Sequence, residues 1–180
     1  VEQTKQIILE KNVTTENIDE TAHDVGVGAV VFNELSNYRI KDYVFSWDKV
    51  LNFEGETGPY VQYTHARACS ILRRAGEDTV KAAKKGFDTS WITGESAHHL
   101  IKLLYALPEV IKEAGEKYEP SIVTRHIVDI AQGFNKFYHD EHILVEDEKE
   151  KTAKVALVLA VQTAIKNGLS LLGMKAPEKM

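Results

Sequence analysis

The sequence has little of what interrupts or staples a chain: one cysteine, four prolines and 11 glycines in 180 residues. The lone thiol, Cys69, excludes an internal disulfide, and with it the small disulfide-stapled scaffolds, and suits a reducing compartment. No apolar run approaches the roughly 18 to 20 residues needed to cross a bilayer. The opening segment, Val1 to Lys11 (VEQTKQIILEK), lacks the charged-then-apolar layout of a signal peptide. It starts without methionine inside a helical pattern, so a part upstream is expected. What is present is ordinary for a folded protein: 43% apolar and 27% charged residues exclude disorder and collagen. The length allows one domain of about 150 residues with an appendage, or two small ones. A net charge of −5 argues against a wholesale polyanion binder.

Apolar spacing is mostly i, i+3, i+4, which predicts an all-α helical bundle. Thr14, Thr15 and Asn17 are candidate caps for a helix running to about Ser36, with Ile18, Ala22, Val25 and Ala29 on its apolar stripe. Gly26 and Gly28 weaken its middle and point to close approach of another backbone. An irregular aromatic crossing from Tyr38 leads to a short helix near Trp47. Residues 54–59 (EGETGP) form a loop, and Pro59 sits at the start of a helix from about Tyr60 to Ala75. Lys81 to Lys85 read as helical, stopped at Gly86. Glu95 to Lys117 repeats leucines at helical spacing, with a kink or break expected at Pro108. Pro120 opens a helix with Ile122, Val123, Ile127, Ile130, Phe134 and Phe137 on one side. Val145 to Glu150 reads as an acidic loop before a last helix, Thr152 to Leu172, stopped at Gly173.

Isolated chemical signals are weak. Cys69 lies among apolar neighbours with no supporting nucleophile motif and reads as a buried structural residue. Gly26-Val27-Gly28 has no preceding strand and no third glycine, so it is not a phosphate loop. His139 and His142 have no second ligand pair at a zinc spacing. His98 and His99 diverge by about 100° on a helix, so at least one of them caps or packs. The richest segment is Gly55 to Arg74 (GETGPYVQYTHARACSILRR). Tyr60 and Tyr63 share a helical face with Arg67 one turn further on. Such a face can stack bases and meet phosphates. Equally, the tyrosines can be half-buried core residues with locally bonded hydroxyls.

Phe53 to Arg67 (FEGETGPYVQYTHAR) resembles the run of arginyl-tRNA synthetases at the junction of the catalytic region and the anticodon-binding domain. Asp42 to Leu51 (DYVFSWDKVL) resembles their upstream block, and Lys166 to Met180 (KNGLSLLGMKAPEKM) resembles their C-terminus. The stretch Ala131 to Tyr138 (AQGFNKFY) also fits. The resemblance covers essentially the whole chain. It implies a class I synthetase piece: residues 1–55 as the helical region after the catalytic domain, and 56–180 as the anticodon-binding domain named for its DALR sequence.

The parent enzymes join arginine to its tRNA with ATP and magnesium, using HIGH-like and KMSKS-like signatures that do not occur in these 180 residues. The resemblance therefore implies no catalytic residue, metal or cofactor here, and activity only as part of the longer enzyme. It implies two partners, arginine tRNA and the catalytic domain of the same chain, with neither a membrane nor DNA among them, and a cytoplasmic location. Carried over by position, the residues that meet tRNA are Glu56, Thr57, Gly58, Tyr60, Tyr63, Arg67, His142 and Met180. The family can place an aromatic residue at the position of His142 to stack on a base. Acidic Glu54 and Glu56 suit backbone or base-edge contacts rather than phosphates.

The charge is uneven. Residues 60–86 carry six basic against two acidic side chains and residues 151–180 five against one, while the intervening and N-terminal stretches are acidic. The two basic stretches are those that the resemblance turns toward RNA, so the mean acidity restricts where RNA binds. Two other classes make distinct predictions. A helical protein-protein interaction module would show no salt-dependent tRNA binding. A metal-binding helical domain using His139 and His142 would carry metal on purification.

Overall fold

The computed structural model describes residues 1–10 and 17–180, which form eight α-helices and one 3-10 turn. They are α1 (Glu2–Glu10), α2 (Ile18–Ser36), α3 (Trp47–Val50), α4 (Gly58–Ala75), α5 (Glu77–Lys85), the 3-10 turn (Thr89–Trp91), α6 (Glu95–Lys117), α7 (Ser121–Asp140) and α8 (Glu148–Leu171). The all-α class is as expected. None of these helices is long and apolar enough to cross a membrane.

Asn17 caps α2, its side chain accepting from the Glu20 amide at 3.2 Å, which meets one of the donors left unpaired at a helix start. Thr14 and Thr15 lie outside the described residues. Of the expected stripe, Ala22, Val25 and Ala29 are buried and Ile18 is half-buried, and the two glycines of α2 mark its contacts. A Cβ on Gly26 would lie 2.8 Å from Thr4 Oγ1 of α1, and one on Gly28 would lie 2.9 Å from Gln62 Nε2 of α4. The bundle core is a continuous cluster from α4 through α8, centred on Leu100, Ile127, Ile130, Phe134, Val158 and Ile165.

Three boundaries differ from the sequence-based expectation. Of the kink or break expected at Pro108, the break does not occur: α6 continues through it. Proline removes one intrahelical bond and crowds the preceding turn, but Pro108 faces solvent, and Leu107 and Ala114 on the buried side hold the turns on either side of it. The helix α8 starts four residues before Thr152, because Asp147 accepts from the amides of Lys149 (2.9 Å) and Glu150 (3.0 Å). Glu148 and Glu150 then sit at the positive end of the helix dipole, so the acidic run is a helix start rather than a loop. Similarly, α5 begins at Glu77, with Glu77 and Asp78 in its first turn and Lys84 and Lys85 in its last.

After α8 the chain turns at Gly173 (φ 74°), a left-handed conformation that favours glycine. Met174 is buried, and residues 175–180 run back along α4.

Candidate nucleic-acid interface

The site is built on α4. Thr57 opens that helix: its hydroxyl accepts from the Tyr60 amide at 3.2 Å and donates to the Asn52 carbonyl at 2.5 Å. Pro59 occupies the first turn, where its missing N–H costs nothing. Gly58 is buried against α2, where a Cβ would lie 2.8 Å from Phe32 Cβ, so a larger residue would push the loop away from the bundle. Glu56 is exposed on the loop itself.

The two tyrosines divide between the two possibilities left open by their spacing. Tyr60 is half-buried against the core, and its hydroxyl accepts from Asn135 Nδ2 of α7 at 2.8 Å. Tyr63 faces outward, with the Arg67 guanidinium 4.8 Å from its ring centre. Arg67 also lies 5.6 Å from the ring centre of Tyr138 and donates from Nη1 to Asn135 Oδ1 at 2.6 Å. Two rings and one amide therefore fix the cation in place. Asn135 also reaches Thr64 Oγ1 at 3.3 Å, so one α7 amide joins three α4 side chains.

Beside this network lies an open cavity of about 500 Å³ lined by Tyr63, Ala66, Arg67, Ser70, Arg73, Lys179 and Met180. Of the residues carried over by resemblance, Tyr63, Arg67 and Met180 meet here. Tyr60 supports them from behind through Asn135, and Thr57 sets the start of their helix. His142 stands on a different element, the turn after α7. Its side chain is exposed, and its carbonyl accepts from the buried Lys154 Nζ at 3.0 Å. The same ammonium meets Glu141 Oε2 and Glu150 Oε1, each at 2.8 Å, so the α7–α8 turn is pinned to α8.

Sequence reasoning missed Asn135, Tyr138 and Arg73 as members of the site. Asn135 and Tyr138 sit in the AQGFNKFY stretch three residues apart, a spacing that places both on one face of α7. Which helix that face meets is settled only by the fold. Cys69 is buried, and burial pushes its thiol pKa up, as does nearby Glu178. A thiol held protonated in this way is a packing residue, not a nucleophile. His98 hydrogen-bonds the Gly94 carbonyl through Nδ1 at 2.9 Å, a capping contact.

An open cavity with one aromatic face, Tyr63, and three cationic side chains, Arg67, Arg73 and Lys179, suits a partner that offers π-faces and negative charge together, which is the chemistry of single-stranded or looped nucleic acid. Comparison with known proteins gives the family. Residues 61–180 match the model of the DALR anticodon binding domain, and residues 1–47 match that of the class I (R) tRNA synthetase catalytic domain. The chain is 54% identical over its whole length to the arginine-tRNA ligase of Halothermothrix orenii and 55% identical to that of Alkaliphilus metalliredigens. It spans 31% of the length of each. It superposes on the arginyl-tRNA synthetase of Thermus thermophilus with a TM-score of 0.90 at 33% identity, covering 99% of this chain and 30% of that one. These matches show that the chain belongs to the DALR anticodon binding domain family, in the form found in arginyl-tRNA synthetases.

Proposed function

We infer that this chain is the tRNA-binding part of an arginine-tRNA ligase and holds the anticodon loop of arginine tRNA against α4 and the C-terminal tail. The observation that carries this reading is the shared cavity, where Tyr63, Arg67 and Arg73 of α4 face Lys179 and Met180 of the tail. Tyr63 supplies a stacking face, Arg67 and Arg73 supply charge, and the tail supplies the opposite wall. Glu56, Thr57 and Gly58 form the loop at the N-terminal end of α4, ahead of Tyr63, the first cavity residue along the helix, and the exposed His142 offers a second stacking group on the α7–α8 turn.

The chain makes and breaks no bond in this scheme. Its binding energy unstacks and splays loop bases, and only the correct loop repays that cost, so recognition is coupled to orientation of the acceptor end toward the catalytic region. Activation of arginine with ATP belongs to that catalytic region, which acts in the cytoplasm. We divide the chain into residues 1–55, continuous with the catalytic part, and residues 56–180, which read tRNA. The surface available to the catalytic part is aromatic: Tyr38, Ile40, Val44, Phe45 and Trp47 are exposed on one segment, and Phe45 and Trp47 pack edge to face at 4.7 Å. An exposed apolar stretch of this kind marks a contact surface.

Titration of the chain with arginine tRNA, and with the same tRNA carrying a substituted anticodon, tests the reading. Two or three phosphate contacts predict a slope of log affinity against log salt on the order of −1.5 to −2. The substituted tRNA should bind at least tenfold more weakly. Equal binding of the two tRNAs, or binding indifferent to salt, would refute the proposal.

A further inference from the structure

Two side chains of α4 take no part in the cavity although they are polar and fully buried. Gln62 and His65 each have 0% of their surface exposed, and neither lines the cavity. Both reach the chain end instead. Gln62 Nε2 donates to the Lys175 carbonyl at 2.9 Å and to the Asp24 carbonyl of α2 at 3.2 Å. Both neighbours are acceptors, which fixes the amide orientation, and the opposite atom, Oε1, finds no donor among the described residues. Three residues along, His65 Nδ1–H donates to the Pro177 carbonyl at 2.9 Å. That tautomer leaves Nε2 as an acceptor, which Gln162 Nε2 of α8 meets at 3.1 Å. Further on, Arg73 Nη1 donates to the Glu178 carbonyl at 3.1 Å.

The tail is therefore held through three of its main-chain carbonyls, all by donors from one helix. Met174 fixes its start: a Cβ on Gly28 or Gly58 would lie 3.0 or 3.3 Å from Met174 Cε. Because carbonyls accept these bonds, the clamp sets the path of residues 175–178 whatever their side chains. Lys179 and Met180, directly after the last clamped residue, both line the cavity.

We propose that Gln62 and His65 are positioning residues for nucleic-acid binding: they clamp the C-terminal tail so that Lys179 and Met180 form the second wall of the α4 cavity. This rests on the reading of that cavity as the anticodon-loop site. A buried amide that leaves its own oxygen unpartnered is costly for packing alone, and its presence is explained by the two carbonyls it must bring together.

The experiment uses the 180-residue chain and its Gln62→Met, His65→Leu and His65→Asn variants, together with a chain ending at Met174. Two quantities are read: the rate at which carboxypeptidase releases Met180, and affinity for an RNA stem-loop bearing the arginine anticodon. Gln62→Met and His65→Leu should each speed Met180 release at least tenfold and weaken the stem-loop about fivefold. His65→Asn, whose amide can donate from near the Nδ1 position, should restore most of both. In the chain ending at Met174, which should itself bind at least fivefold more weakly, neither substitution should weaken binding further. Unchanged release of Met180 from folded variants would overturn the proposal. So would a fivefold loss that persists without the tail, which would mean that the two residues act through α4 itself. Should a substituted chain fail to fold, the tail-less chain alone decides, since binding as tight as the parent's removes the tail from the site. Should the parent not bind the stem-loop, the functional reading fails, while Met180 release still tests the clamp.

Discussion

Asn135 of α7 donates to the hydroxyl of Tyr60 on α4 at 2.8 Å while accepting from Arg67 at 2.6 Å. One amide thus links a core tyrosine to the cation of the cavity. Asn135→Ala leaves the Tyr60 hydroxyl and the Arg67 guanidinium without their partner in a half-buried setting, and should destabilise the chain by about 1 to 3 kcal/mol. Tyr60→Phe should cost about 1 kcal/mol. If the hydrogen bond carries the effect, Asn135→Ala should cost less when made in Tyr60→Phe than when made alone. Urea unfolding of the four proteins measures this coupling, and strictly additive losses would show that the bond contributes nothing.

Tyr63 and Tyr60 should respond differently to truncation. Tyr63 faces the cavity and packs on Arg67, so Tyr63→Ala should weaken anticodon stem-loop binding by about 1 to 3 kcal/mol, the worth of one base stack, with little change in thermal midpoint. Tyr60→Ala should lower both affinity and midpoint, since its ring packs on the core. Calorimetric melting beside RNA titration separates the two, and a Tyr63→Ala chain that binds as tightly as the parent would remove Tyr63 from the site.

Most of this architecture was legible because helix periodicity is local. The stripe Ile122, Val123, Ile127, Ile130, Phe134 and Phe137 marks α7, and all but the half-buried Ile122 are buried. Boundaries failed where charge stood in for structure: the run ending at Glu150 reads as solvated loop until Asp147 is seen to cap it. At Pro108 a local rule lost to tertiary packing, since burial on both sides of the proline keeps α6 continuous. In the site, Tyr60, Tyr63 and Arg67 are visible together because they belong to one helix. Asn135 and Tyr138 are not, because the pairing of α4 with α7 joins residues about 70 positions apart. Gln62 and His65 carry no signal of their own in the sequence. Nothing local announces that the chain end folds over them.

Lys154 is nearly inaccessible and is shared by Glu141, Glu150 and the His142 carbonyl. Burial alone would push its pKa down, but hydrogen bonds to the two carboxylates outweigh this and raise it, so the lysine stays charged. Removing one member of a buried ion group costs about 3 to 5 kcal/mol. Here both carboxylates keep some contact with water, so Lys154→Ala should cost ~2 kcal/mol and loosen the α7–α8 turn that carries His142. Faster amide exchange over residues 141–147, with α4 unaffected, is the expected signature. Uniform loosening of the whole bundle would show instead that Lys154 supports the core at large.

His65 makes stability depend on pH in a direction that can be worked out. Burial lowers its pKa below the ordinary 6.5, and Lys166 adds to that, while the bond to Pro177 and the charge of Glu178 oppose it. The folded chain therefore keeps the ring neutral at pH values where the unfolded chain takes up a proton. Above about pH 6.5 both states are neutral and the residue contributes in full. As pH falls below that value, the unfolded state binds more protons and stability is lost, until the depressed folded pKa is reached. The slope for one such group cannot exceed about 1.4 kcal/mol per pH unit. Unfolding free energies of the parent and of His65→Asn between pH 7.5 and 5.5 should therefore diverge, the parent losing more as acid is added. Groups common to both chains cancel in the difference. Parallel curves would mean that His65 takes up its proton in the folded chain as readily as in the unfolded one, and that burial does not hold it neutral.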